Sequence, residues 1–334
     1  MNKKVLAALV AVMVPFSLAA CSANGGDGSS DDVIKFQLSM TDNKSSNYYQ
    51  GAATIAEEVE KATDGRIQIN VVAGGGLGDE RGTLEMAMNG DLDIATAANP
   101  IFTNWIPEMS ALDQPFLFDN AEQAHAAVDG EVGELIETAA SEKGLHILGY
   151  MESGFRNVFS TKPITEISDF NGVTIRTMQN KYHMAAFDAF GAQPEALPAG
   201  DQFTALQQGT IDAAENATAN MLASRLFEVT RHHTTTEHAF VYILIAMSDK
   251  AWNKIPTDLQ PVFQDAVRRG AEAQRGYLAE ANETAAVSLQ AEGVEFHETD
   301  RTSLVAAYEA TSEERGFTFD PKWTAAIDKA RTNK

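Results

Sequence analysis

The sequence's clearest capacity for chemistry lies in two arginines and an asparagine. Arg176 closes the β-type run 173–176 after the turn Asn171-Gly172, and Arg156 opens another β-type run after Ser153-Gly154-Phe155. A guanidinium is planar, permanently charged and matched to a carboxylate by two parallel hydrogen bonds, geometry that a lysine ammonium does not supply. Asn216, just past the run 211–214, offers an amide donor to the same kind of anion. Spacing alone leaves both arginines readable as solvated strand-end residues, so the three form only a candidate clamp for an organic acid.

Other chemistries find less support. The loop Gly74-Gly75-Gly76-Leu77-Gly78 follows a β-type run, but the third glycine of a dinucleotide fingerprint would fall on Asp79, an anion beside a pyrophosphate. There is no phosphate-binding Gly-Lys-Ser/Thr and no Gly-x-Ser-x-Gly elbow. The seven histidines lack metal-ligand spacing: His232 and His233 are adjacent and point apart, with His238 the only near neighbour, so core or surface positions are expected for them. One cysteine excludes a disulfide framework and a cysteine-based zinc site. No cofactor, metal or catalytic set is therefore expected. With 25 Lys+Arg against 47 Asp+Glu the net charge is −22. That argues against nucleic acid, whose affinity comes from phosphate neutralisation, but not against one small anion held by an arginine in a closed cleft.

These residues need elements to position them. Lys3 and Lys4 followed by an apolar stretch to Ala20 read as a signal peptide over 1–20, too short to span a membrane comfortably. Cys21 directly follows Leu18-Ala19-Ala20, a run that resembles a bacterial lipobox and predicts lipidation of Cys21. Residues 22–32, rich in Gly, Ser and Asp, read as a flexible tether. Beyond it, strands are expected at 33–40, 66–72, 92–97, 145–150, 157–160, 173–176, 211–214 and 240–247, with helical patterns between most of them. This alternation predicts an α/β protein with largely parallel sheets. Residues 257–292, rich in Ala, Glu, Gln and Arg, predict one helix long enough to cross two lobes, with kinks conceivable at Gly270 or Gly276.

The order and spacing of several short runs, over about residues 33–330, resemble the solute-binding proteins of tripartite ATP-independent periplasmic (TRAP) transporters. They include Leu77-Gly78-Asp79-Glu80-Arg81-Gly82, Leu112-Asp113-Gln114-Pro115-Phe116, Gly154-Phe155-Arg156-Asn157, Asp169-Phe170-Asn171-Gly172-Val173-Thr174-Ile175-Arg176 and Gln208-Gly209-Thr210-Ile211-Asp212 through Glu215-Asn216. The resemblance implies a two-lobed α/β fold, periplasmic-binding-protein-like, with a long helix spanning both lobes: lobe 1 from 33–153 plus about 242–281, and lobe 2 from 154–241 plus about 282–334. It implies Arg176 as the carboxylate partner, with Arg156 and Asn216 beside it, and Glu80, Asn99 and Tyr242 as further ligand-facing positions. It also implies a protein that hands an organic acid to a membrane permease and, taken with the signal peptide and the lipobox-like run, one exported and lipid-anchored at the outer face of the cytoplasmic membrane or in the periplasm. A binding protein of an ATP-driven importer and an exported lipid-anchored enzyme are the alternatives. One departure concerns the pocket wall. Where the family often places an aromatic residue after the run matched by Leu197-Pro198, this chain has Ala199-Gly200, leaving Phe102, Trp105 or Tyr182 as candidates to fill the space.

Overall fold

The computed structural model describes residues 33–332; the expected signal peptide, Cys21 and tether lie outside them. Among the described residues nine strands are present: β1 (Ile34–Ser39), β2 (Ile67–Val72), β3 (Ile94–Ala98), β4 (Leu145–Ser160), β5 (Thr174–Thr177), β6 (Gln193–Ala196), β7 (Ala213–Asn216), β8 (His232–Ser248) and β9 (Glu295–Glu298). They run in the order β2-β1-β3-β8-β4-β7-β5-β6, with β9 beside β8. β1 pairs in parallel with β2 and β3, and β5 with β6 and β7. Between these two parallel groups run β4 and β8, antiparallel to each other and to β3 or β7. The expectation of largely parallel sheets is therefore corrected: two parallel groups are joined by a long antiparallel pair.

β4 and β8 explain the two-lobed architecture. At 16 and 17 residues they pair with each other along their length, while β8 also pairs with β3 of one group and β4 with β7 of the other. The sequence reading divides β4 into the runs 145–150 and 157–160, separated by a stretch that contains Gly154. In the structure the strand continues through register shifts at Ile147/Gly149, Glu152/Gly154 and Arg156/Val158. Such bulges insert an extra residue, bend the strand and redirect side chains. Gly154 has φ +74°, a conformation that glycine adopts without a Cβ penalty. The first half of β8, His232–Glu237, reads as a polar segment, yet Thr234 is buried and its hydroxyl donates to the Ile164 carbonyl at 2.7 Å. Hydrogen bonding rather than apolar character permits this half to be covered.

The long helix, Gln260–Ala291, runs unbroken for 32 residues, roughly 48 Å at 1.5 Å per residue. Phe263, Val267 and Ala271 belong to the first core, built on β1–β3 and the adjoining parts of β4 and β8. Further along, Leu278 packs with Ala219, and Leu289 joins Phe159 and Ile211 in a second-lobe core. Gly270 does not kink the helix. A Cβ there would lie 2.6 Å from Ile55 Cγ1, so glycine allows close approach to the helix Asn47–Ala62. The side chain of Gln274 takes over backbone bonding beside the bulge in β4: its Oε1 accepts from Glu152 N at 2.8 Å and its Nε2 donates to Glu152 O at 2.8 Å. The C-terminal helix Pro321–Thr332 places Trp323 and Ile327 in the first core, whereas the sequence reading groups residues 282–334 with the second lobe.

Candidate functional site

The two arginines meet on a shared carboxylate. β4 carries Arg156, β5 carries Arg176, and β7 between them carries Glu215 and Asn216. Arg156 donates through Nε to Glu215 Oε2, through Nη2 to the Glu215 carbonyl at 2.7 Å, and through Nη1 to Asn216 Oδ1 at 3.0 Å and Ser153 Oγ at 3.2 Å. Arg176 donates through Nε to the Leu197 carbonyl at 2.8 Å and reaches Glu215 Oε1 only at 3.4 Å. All three charged side chains are buried.

Two cations therefore share one protein anion. Burial opposes ionisation of Glu215, but the charge of Arg156 and hydrogen bonds from His238 and Arg156 overcome it and hold this carboxyl well below the usual range. An ionised carboxylate only accepts hydrogen bonds, so His238 Nε2, 3.3 Å from Glu215 Oε2, is the donor, and Nδ1 accepts from the Thr236 hydroxyl at 2.8 Å. Burial lowers the His238 pKa, so the ring brings no full charge of its own. Arg156 is the better compensated guanidinium: burial works against it, but Glu215 outweighs burial and raises its pKa. Arg176 is pushed down to about 10, by burial first, with Glu215 only partly restoring it and Arg156 opposing it. Arg176 is thus the cation with an electrostatic demand that the protein leaves incompletely met.

Asn216 connects this cluster to a cavity of about 250 Å³. One wall is the first-lobe loop with Asp42, Asn43 and Ser46; the other contains Gly200, Gln202, Phe203, Asn216 and Asn220 from the second. Asn220 Nδ2 donates to Asn216 Oδ1 at 3.0 Å and to the Tyr48 oxygen at 2.5 Å, linking the two sides. The side-chain oxygens of Asn220 and Gln202 are buried without a hydrogen-bond partner, so two acceptors stand in this wall. Asp42 is pushed up to about 7, by burial and then by the neighbouring charge of Glu80. Glu80 is raised as well, chiefly by burial, although Ala98 N donates to its Oε1 at 2.9 Å and Arg176 and Arg156 favour its charge. Both first-lobe carboxyls are thus easier to protonate than an ordinary solvated carboxylate.

Of the residues singled out by sequence, Arg156, Arg176 and Asn216 come together, and Glu80 lies within their field. Asn99 and Tyr242 do not join them. Asn99 Nδ2 donates to Asp113 Oδ1 at 2.8 Å and its Oδ1 accepts from Tyr242 N at 2.9 Å, while the Tyr242 hydroxyl donates to the Ala124 carbonyl at 2.7 Å. Both are packed into the first lobe. The wall at Ala199-Gly200 is completed by Phe203, not by Phe102, Trp105 or Tyr182. Phe102 is in the first core, Trp105 lies against Arg81, and Tyr182 packs on Phe317 and Phe319. Sequence reasoning missed Glu215, Gln202 and Asn220. The available signal for Glu215 was a glutamate ending the otherwise small and apolar Ala213-Ala214 stretch of a strand.

The profile of the family described as bacterial extracellular solute-binding protein, family 7, matches residues 38–316. A solute-binding protein from Verminephrobacter eiseniae is 34% identical over 265 residues, covering 78% of this chain and 79% of that one. The 2,3-diketo-L-gulonate-binding periplasmic protein YiaO of Escherichia coli is 27% identical over 261 residues, covering 78% of each. Among solved structures, a TRAP periplasmic solute-binding protein from Polaromonas, bound to D-erythronate, superposes with a TM-score of 0.85 at 29% identity, covering 90% of this chain and 99% of the other.

Proposed function

Because the chain belongs to family 7 of the bacterial extracellular solute-binding proteins, the ligand-capturing components of TRAP transporters, we propose that it captures a small hydroxylated organic acid between its lobes and delivers it to a membrane permease. The observation that carries this reading is the pair of buried guanidiniums sharing Glu215, with Arg176 the less compensated of the two. A ligand carboxylate at Arg176 supplies the missing negative charge, and Arg156 and Asn216 orient it. Ligand hydroxyls donate to the side-chain oxygens of Asn220 and Gln202, while Asp42 faces them from the first-lobe wall. Solutes named for two relatives, D-erythronate and 2,3-diketo-L-gulonate, are of this chemical class.

Residues from both lobes line the cavity, so ligand contacts favour the closed arrangement by their difference in affinity for closed and open forms. Exclusion of water strengthens the charge-assisted bonds. No covalent step is invoked, and the protein acts as a carrier rather than an enzyme. Export by residues 1–20 and a lipid on Cys21 would keep it at the membrane face where a permease can receive the closed complex.

The test is calorimetric titration with D-erythronate, 2,3-diketo-L-gulonate, D-glucuronate and succinate. Removing one partner of a buried ion pair costs roughly 3–5 kcal/mol, so Arg176→Ala is expected to weaken the tightest of these at least about a hundredfold while remaining folded. Unchanged affinity in Arg176→Ala would remove Arg176 as the clamp. Tighter binding of succinate than of the hydroxylated acids would overturn the assignment of ligand class.

A further inference from the structure

On the far side of the second lobe, β9 adds to β8 and brings three metal-capable side chains to one point. His232 pairs directly with Glu295, and Thr234 with His297, so His232, Glu295 and His297 fall on one face of the two-stranded edge. His233, next in the chain, points to the opposite face and stacks on Phe296. His232 Nδ1 lies 3.0 Å from His297 Nε2 and 3.6 Å from Glu295 Oε2, and His297 Nε2 is 4.0 Å from that same oxygen. For a tetrahedral ion with bonds near 2.0–2.2 Å, donor atoms are separated by roughly 3.4 Å, a value these three distances bracket.

We propose that His232, His297 and Glu295 bind one zinc-class divalent ion, leaving a fourth position to water. Imidazole nitrogens with a single carboxylate suit zinc, nickel or copper, whereas magnesium and calcium demand more oxygen ligands. Both imidazoles are largely covered, at 15% and 17% side-chain exposure, while Glu295 is 70% exposed and provides an approach from solvent. A bound ion would cross-link β8, the strand that runs through both lobes, to β9, which follows the long helix. The ligands are 63 and 65 residues apart in sequence, which is why spacing does not reveal them and the histidines read as ordinary. The site lies apart from the solute cavity and does not depend on the nature of the solute.

Protein treated with EDTA and dialysed, then titrated with ZnCl2 against a chromophoric chelator, is expected to take up one equivalent that MgCl2 does not displace. His232→Ala and His297→Ala are each expected to weaken uptake at least about tenfold, the lower range for loss of groups that support a metal. Glu295→Gln, altering an exposed side chain that leaves folding intact, should weaken it in the same direction. ZnCl2 should also raise the melting temperature of the unaltered protein but not of the His232→Ala/His297→Ala double variant. Absence of stoichiometric uptake would leave a plain histidine–histidine hydrogen bond and overturn the proposal. So would uptake that persists undiminished in Glu295→Gln and in the double variant.

Discussion

At the scale of the residue, Glu215 decides how the two arginines are used. Alone, either guanidinium would be an expensive buried charge. Between them Glu215 accepts from Arg156 through both its carboxylate and its carbonyl, and only loosely from Arg176. The asymmetry makes Arg156 the better compensated guanidinium and Arg176 the less compensated one. Glu215→Gln keeps the shape but removes the anion, so it is expected to lose roughly 3–5 kcal/mol in urea unfolding. A loss below about 1 kcal/mol would mean that the arginines are compensated elsewhere. Arg156, Arg176 and Asn216 were candidates by residue type and strand-end position, and the family resemblance was what singled them out. Glu215 was not a candidate, because 47 carboxylates give no local reason to prefer one. Asn99 and Tyr242 show the converse: polarity in the right neighbourhood was consumed by core hydrogen bonds.

At the scale of the element, the long helix is held by close approaches along its length. Gly270 faces the backbone of Ile55, and Gln274 meets Gly51, where an added Cβ would lie 2.7 Å from Gln274 Cβ. At Gly276, six residues further on, an added Cβ would meet nothing within 4 Å. The two glycines should therefore respond oppositely to substitution. Gly270→Ala forces the helices apart and is expected to cost about 1–3 kcal/mol. Gly276→Ala only improves helix propensity and should stabilise by about 0.5–1 kcal/mol. Thermal or urea unfolding of both variants checks the pair; equal effects would contradict this packing. Residues 257–292 announced one helix by composition, but which glycine touched a neighbour depended on the helix Asn47–Ala62, more than two hundred residues away in sequence.

At the scale of the whole molecule, buried acids couple the lobes to pH. Asp113, in the first lobe, accepts from Asn99 and Thr103 and also from Asn180 of the second lobe, at 2.6 Å. Burial pushes Asp113 up to about 7 despite these donors. The folded protein thus retains a proton between about pH 4 and 7 that the unfolded chain releases. Stability then falls as pH rises through that window, with a contribution approaching about 1.4 kcal/mol per pH unit, and levels off above it. Asp113→Asn removes this slope, so the stability of the unaltered protein relative to the variant should decline from pH 4 to 7. A difference that stays flat across this range, measured by urea unfolding at each pH, would show that Asp113 is already ionised in the fold.

The sequence by itself determined what local pattern can carry. It established the α/β alternation and the extent of the long helix, and it offered two arginines and an asparagine as site candidates. Most strands were legible because their apolar alternation is a property of consecutive residues. Tertiary structure decided what depends on distant partners. It joined two apparent strands into β4, because bulges and Gln274 satisfy the backbone between the two runs. It recruited the polar start of β8 by giving its threonine a buried acceptor, and brought His232 beside His297 across an edge pairing. It also placed Glu215 between two arginines on neighbouring strands. Local pattern depends on side-chain type and period, whereas charge compensation and steric fit depend on which atoms the fold brings together.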